Sequence, residues 1–119
     1  MKRIYLRSIP DPRLAPGDPQ WENNRVDYRN LIENAIRIPA DRERGATIDE
    51  MRKGIRVLDA LDKSHDNVLE LEDADWQHLK EKVEKMPWAM VDRRFITFHD
   101  DITGATDAIR EPSLADGRA

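Results

Sequence analysis

The sequence predicts a mainly α fold: a small three- to four-helix bundle with an extended Pro-rich N-terminal arm and at most a short two-stranded β element. Three observations predict it. Apolar residues recur at helical spacing in four stretches between positions 24 and 103. Cap residues and prolines bound those stretches. Four of the seven prolines, Pro10, Pro12, Pro16 and Pro19, crowd together ahead of the first helix. The chain has 119 residues, the length of one domain. Its 39% hydrophobic and 37% charged residues imply a small core and a surface that is heavily solvated or covered by a partner.

Residues 1–22 form the arm. Each proline there removes a backbone donor and pushes the preceding residue toward extended conformations. Lys2 to Arg7 alternates loosely and suits a short strand. Such an arm orders only by lying on its own domain or on a neighbour.

The helical domain spans residues 23–103. Its first helix is expected over 24–38, where Tyr28, Leu31, Ile32, Ala35 and Ile36 make one apolar stripe and Pro39 stops it. A polar loop, 39–46, leads to Thr47-Ile48-Asp49-Glu50, a capping box. The helix that follows runs to about Lys63, with Ile48, Met51, Ile55 and Leu58 at a spacing of 3, 4 and 3, widened by Val57 and Leu61. Gly54 inside it costs about 1 kcal/mol relative to Ala, so it marks close approach by another helix or by a partner chain. Ser64 to Asn67 is a turn, and Val68 to Glu72 alternates apolar and acidic residues like a short strand. Asp73 is expected to cap a helix over 74–86 with the stripe Trp76, Leu79, Val83 and Met86. Pro87 ends it. Apolar residues 88–91 lead to a last helix near Asp92, with Phe95, Phe98, His99 and Ile102 on one side. Residues 104–119 read as a polar tail with at most one helical turn around 105–110. The expected core is Leu31, Ile36, Met51, Ile55, Leu58, Leu61, Leu71, Trp76, Leu79, Val83, Phe95 and Ile102.

Composition narrows the function classes. With no cysteine there is neither a disulfide framework nor a thiolate site. No apolar run is long enough for a transmembrane helix, so no membrane association is expected. The start MKRIYLRSIP lacks the apolar core of a secretory signal. The five glycines are scattered and form no phosphate-binding loop.

Two constellations suggest chemistry and each has a plainer account. Asp75 and His78 stand one turn apart and, with Glu72, offer metal ligands. Acidic residues at a helix start, however, complement the macrodipole without any metal. His99 precedes Asp100 and Asp101, but adjacent helical residues point about 100° apart, so the imidazole is not expected to face either carboxylate. No serine sits in a nucleophile context. No catalytic residue, metal site or cofactor is therefore expected. Arg42, Arg44, Arg52, Lys53 and Arg56 gather near one helix start, but Asp41, Glu43, Asp49 and Glu50 interleave with them and the net charge is −4. Nucleic acid is thus an unlikely partner. Aromatic and Arg residues are the usual interface anchors, so the expected partner-binding residues are Tyr5, Leu6, Trp21, Arg52, Arg56 and Trp88.

Residues 47–102 carry a resemblance. TIDEMRKGIRVLDALDKS followed by VLELEDADWQHLKEKVEKMPW resembles small proteins encoded among the structural and assembly genes of tailed bacteriophages and prophages. The resemblance implies a non-enzymatic virion or assembly component, acting in the host cytoplasm or in the virion, and carries over no catalytic residue. The expected function is a protein–protein interaction module whose arm docks on neighbouring subunits, either phage structural proteins or copies of itself. A small regulator or inhibitor of a host or phage protein is the alternative, and a nucleic-acid-binding regulator is a more distant one.

Overall fold

The computed structural model describes residues 1–88 and 90–107. Along them run strands β1 (Lys2–Tyr5), β2 (Ser8–Ile9) and β3 (Val26–Asp27), helices α1 (Tyr28–Arg37) and α2 (Ile48–Asp62), strand β4 (Val68–Leu71), helices α3 (Asp73–Lys85) and α4 (Arg93–Thr103), and strand β5 (Thr106–Asp107). The four helices follow the apolar periodicity, and the caps set their starts. Asp27 accepts from the Arg29 amide, Thr47 from Glu50 and Asp92 from Arg94. Helix α1 starts four residues later than the stripe predicts because Val26 and Asp27 pair with Ile9 and Ser8. Only the Thr47 half of the capping box forms. The Glu50 carboxylate instead accepts from the Ala40 amide at 3.0 Å and from Lys82. Helix α3 is preceded by Glu72 as cap residue, with Asp73 already inside its first turn.

The β content exceeds the single two-stranded element expected. Strand β1 is the middle of a three-stranded antiparallel sheet of order β4-β1-β5, and β2 pairs with β3 in a second, two-stranded one. The fold is a mixed α and β one, and its N-terminal segment is built into it. Ile4 and Leu6 are buried on the face that also buries Leu69 and Leu71, while Tyr5 between them is exposed, as strand alternation requires. A segment whose alternate residues complete the core does not extend away as a free arm. The prolines after it lie in consecutive turns rather than an extended stretch. Asp11 and Asp18 side chains accept from the amides of Arg13 and Gln20, and their carbonyls from Leu14 and Trp21. Thr106 and Asp107, placed in the polar tail by the sequence, are extended on the β1 edge rather than helical; residues 108–119 of that tail lie outside the described residues.

The core is centred on Tyr28, Ile32, Ala35, Val57, Leu61, Leu69, Leu79, Val83, Phe98 and Ile102, with the sheet residues Ile4 and Leu71. Ile36 belongs to it, while Leu31, Leu58 and Trp76 pack at its margin. Phe95 is half-buried under Trp88. Met51 and Ile55 do not belong to the core: both face solvent. Helix α2 turns Gly54, Val57 and Leu61 inward instead. The Gly54 expectation holds, because a Cβ there would lie 3.1 Å from Ile36 Cγ2 on α1.

Candidate functional site

Helix α2 carries two apolar stripes, and the fold uses only one of them. On the outer stripe Ile48, Met51 and Ile55 are 61%, 50% and 53% exposed. At 3.6 residues per turn they line up along one side, ending at half-buried Leu58. Single exposed apolar side chains are ordinary, but three in a row on one helix make a patch of the kind that marks interaction surfaces. Beside them on the wheel lie Arg52 and Asp59, whose side chains have no hydrogen-bond or ion-pair partner among the described residues.

The six expected partner-binding residues are dispersed. Arg52 borders the outer stripe. Arg56, one turn on, is held to α3 by its Nε, which donates to Asp75 at 2.8 Å. Tyr5 is exposed on the sheet face away from the core. Leu6 is a correction: it is a core residue, and its amide donates to the Asn67 carbonyl at 2.7 Å. Trp21 is half-exposed with the Arg25 guanidinium 4.6 Å over its ring. Trp88 stacks on Phe95 at 5.3 Å and meets Phe98 edge-on, so its ring packs against its own chain. Only Arg52 and Arg56 share an element. The exposed stripe itself escaped the sequence reading, which placed Met51 and Ile55 inside. Gly54 was the available signal: it marks the side of α2 that a neighbour approaches, and Met51 and Ile55 lie to one side of it.

A cleft of about 430 Å³ opens between the end of α1, the 39–42 loop, the first turns of α2 and the later half of α3. Its polar centre is Lys82, Glu50 and His78. Lys82 Nζ donates to Glu50 Oε2 at 2.8 Å and to the Ile38 carbonyl, one of those that end α1. The Lys82 hydrogen bond is the main influence holding the Glu50 carboxyl below the usual range. Burial, and then the charges of Lys82 and Lys53, push the His78 imidazole below its ordinary value. His78 Nε2 is buried without a partner among the described residues. No hydroxyl or thiol lines this cleft. Of the lysines that line it, Lys82 is committed to Glu50 and the Ile38 carbonyl and Lys53 is paired with Asp49, and the Lys82 contacts latch three helices together.

The Glu72, Asp75 and His78 constellation does not come together. Asp75 is taken by Arg56, and His78 turns to the cleft. Among the described residues no group of three His, Asp or Glu side chains could hold a metal ion, and no helix is long and apolar enough to cross a membrane. His99 does reach a neighbour, contrary to expectation: its Nδ1 lies 3.0 Å from Asp100 Oδ1, because two exposed side chains can bend toward each other across the helix surface. No protein-family model matches the chain, and no curated protein or solved structure matches it either.

Proposed function

We propose that this chain is a non-enzymatic protein–protein interaction module that docks through the outer face of α2, as a structural or assembly component of a bacteriophage virion. One observation carries the docking reading. Ile48, Met51 and Ile55 stand exposed along a capped helix whose other face is already committed to the core. Covering them removes apolar area from water without disturbing the fold. The assembly role is supported by the resemblance of residues 47–102 to small phage assembly proteins. A docking role through residues 1–9 has less support, because those residues complete the protein's own sheets.

Affinity capture from infected cells tests the proposal, with the wild-type chain set beside an Ile48→Asp/Met51→Asp variant of unchanged circular dichroism. Capsid, portal or tail proteins retained by the wild type and lost by the variant are the expected result. Equal capture by both chains overturns the docking face. Capture of nucleic acid in place of protein, removable by salt, overturns the function itself.

A further inference from the structure

We propose that the occupant of the α2 outer face is a second copy of this chain, seated antiparallel so that the two α2 helices cross near Ile55. This rests on the docking reading above and gives it a partner. Two observations select a self-complementary partner.

The first is the apolar row itself. Ile48, Met51, Ile55 and Leu58 repeat at 3, 4 and 3 residues, the seam spacing by which one helix packs against another of its kind. Turning the row end for end about Ile55 lays it upon itself: Ile55 meets Ile55, and Met51 reaches the Leu58 region of the second copy.

The second is charge. Arg52 and Asp59 flank the row on the same side, seven positions apart, and both side chains lack a partner among the described residues. The same end-for-end operation places Arg52 of each copy beside Asp59 of the other. A twofold pairing therefore creates two opposite-charge contacts at once, as an isologous interface must. A parallel pairing carries the Arg52 and Asp59 of the two copies to opposite flanks of the seam, so neither meets an opposite charge there. Arg56 stays outside the arrangement, already paired with Asp75. The patch is one helix of 15 residues, at the small end of stable interfaces, so the dimer dissociates on dilution.

Sedimentation equilibrium over a hundredfold range of concentration tests this on the full chain. The wild type is expected to rise from the monomer mass toward twice that mass. Ile55→Asp, at an exposed position, is expected to weaken the dimer at least tenfold with circular dichroism unchanged. Asp59→Arg alone, which sets four arginines around the seam, is expected to weaken it about as much. Exchanging the charges in Arg52→Asp/Asp59→Arg is expected to restore it. A dimer indifferent to Ile55→Asp, or an exchange that restores nothing, overturns the proposal. So does a wild type that stays monomeric throughout. In that last case the affinity capture described above separates the two readings: loss of a captured protein with Ile48→Asp/Met51→Asp means another protein occupies the face, and unchanged capture means nothing docks there.

Discussion

The Tyr28 hydroxyl, on a side chain buried against Phe98, donates to Asp101 Oδ2 at 2.6 Å, joining the start of α1 to α4. Arg7 reaches the same oxygen at 3.0 Å from just beyond β1. Burial and then Asp101 push the phenol's titration far above neutrality, so it remains a donor at every physiological pH. Tyr28→Phe keeps the ring packing and removes only the donor. A hydrogen bond to a charged acceptor contributes about 1.5–3 kcal/mol, and the lower end applies because Asp101 is partly exposed and keeps Arg7. Urea unfolding should show a loss of about 1.5 kcal/mol.

Arg94 orders the turn-rich segment ahead of α1. Buried beside Asp92, it donates through Nη1 to the carbonyls of Ile9 at 3.1 Å and Asn24 at 2.7 Å, pinning both ends of residues 10–24. Arg94→Met removes both anchors and leaves Asp92 without its partner. Breaking a buried pair from one side costs about 3–5 kcal/mol. The observable is trypsin cleavage at Arg13, expected to be much faster in the variant than in the wild type at equal occupancy of the folded state.

The two stripes of α2 should differ sharply under truncation. Leu61→Ala removes a core side chain and is expected to cost about 3 kcal/mol. Ile55→Ala, at an exposed position, should stay within about 0.5 kcal/mol of the wild type when measured at concentrations low enough to keep the chain monomeric. If Ile55→Ala cost as much as Leu61→Ala, the helix would be facing the other way.

Acid should weaken the fold in two stages. The folded pKa of His78 lies below its ordinary 6.5, so the folded state resists protonation that the unfolded chain accepts, and stability declines as pH falls below that value. Asp11, held at about 2 chiefly by the Arg13 side chain, stabilises above its unfolded value of 3.8, and that contribution disappears as pH falls toward 2. Glu50 and Asp92, lowered chiefly by Lys82 and Arg94, act in the same direction. Urea midpoints should therefore drop modestly between pH 7 and 5.5 and more steeply below pH 4. His78→Gln is expected to remove the upper stage, and Asp11→Asn to flatten the lower one.

The helices were legible because their signals are local. The Thr47 cap, the Pro39 and Pro87 stops and a 3.6-residue apolar period all act within one or two turns. Strands β1 and β4 also showed in their alternation, but their pairing did not, and Ser8–Ile9 or Thr106–Asp107 is too short to show a period and gains its hydrogen bonds from residues far along the chain. Leu6 looked available for a partner for the same reason: nothing near it in sequence says that Leu69 and Leu71 stand opposite strand β1. On α2 the sequence held two apolar rows of similar quality, and the choice between them was made by Ile36 fitting against Gly54. The outer face was thus written in the sequence as a core and became a surface only through tertiary packing. The Lys82–Glu50 pair, 32 positions apart and formed between two helices, left no trace in local pattern at all.

Strand β1 sits between partners that arrive late. Its Arg3 pairs with Glu70 at a separation of 67 positions, and Arg7, just past its end, with Asp101 at 94. Chains dominated by neighbouring contacts fold within microseconds to milliseconds, whereas remote pairings slow the search because loops must close before any contact forms. The helices of this protein can gather early, but Ile4 and Leu6 enter the core only when the middle strand is seated between β4 and β5. Until then a strip of apolar surface under the helices stays open to water. The rate of folding should therefore be set by the capture of that strand, and destabilising changes at Ile4 should slow folding itself rather than act on unfolding alone.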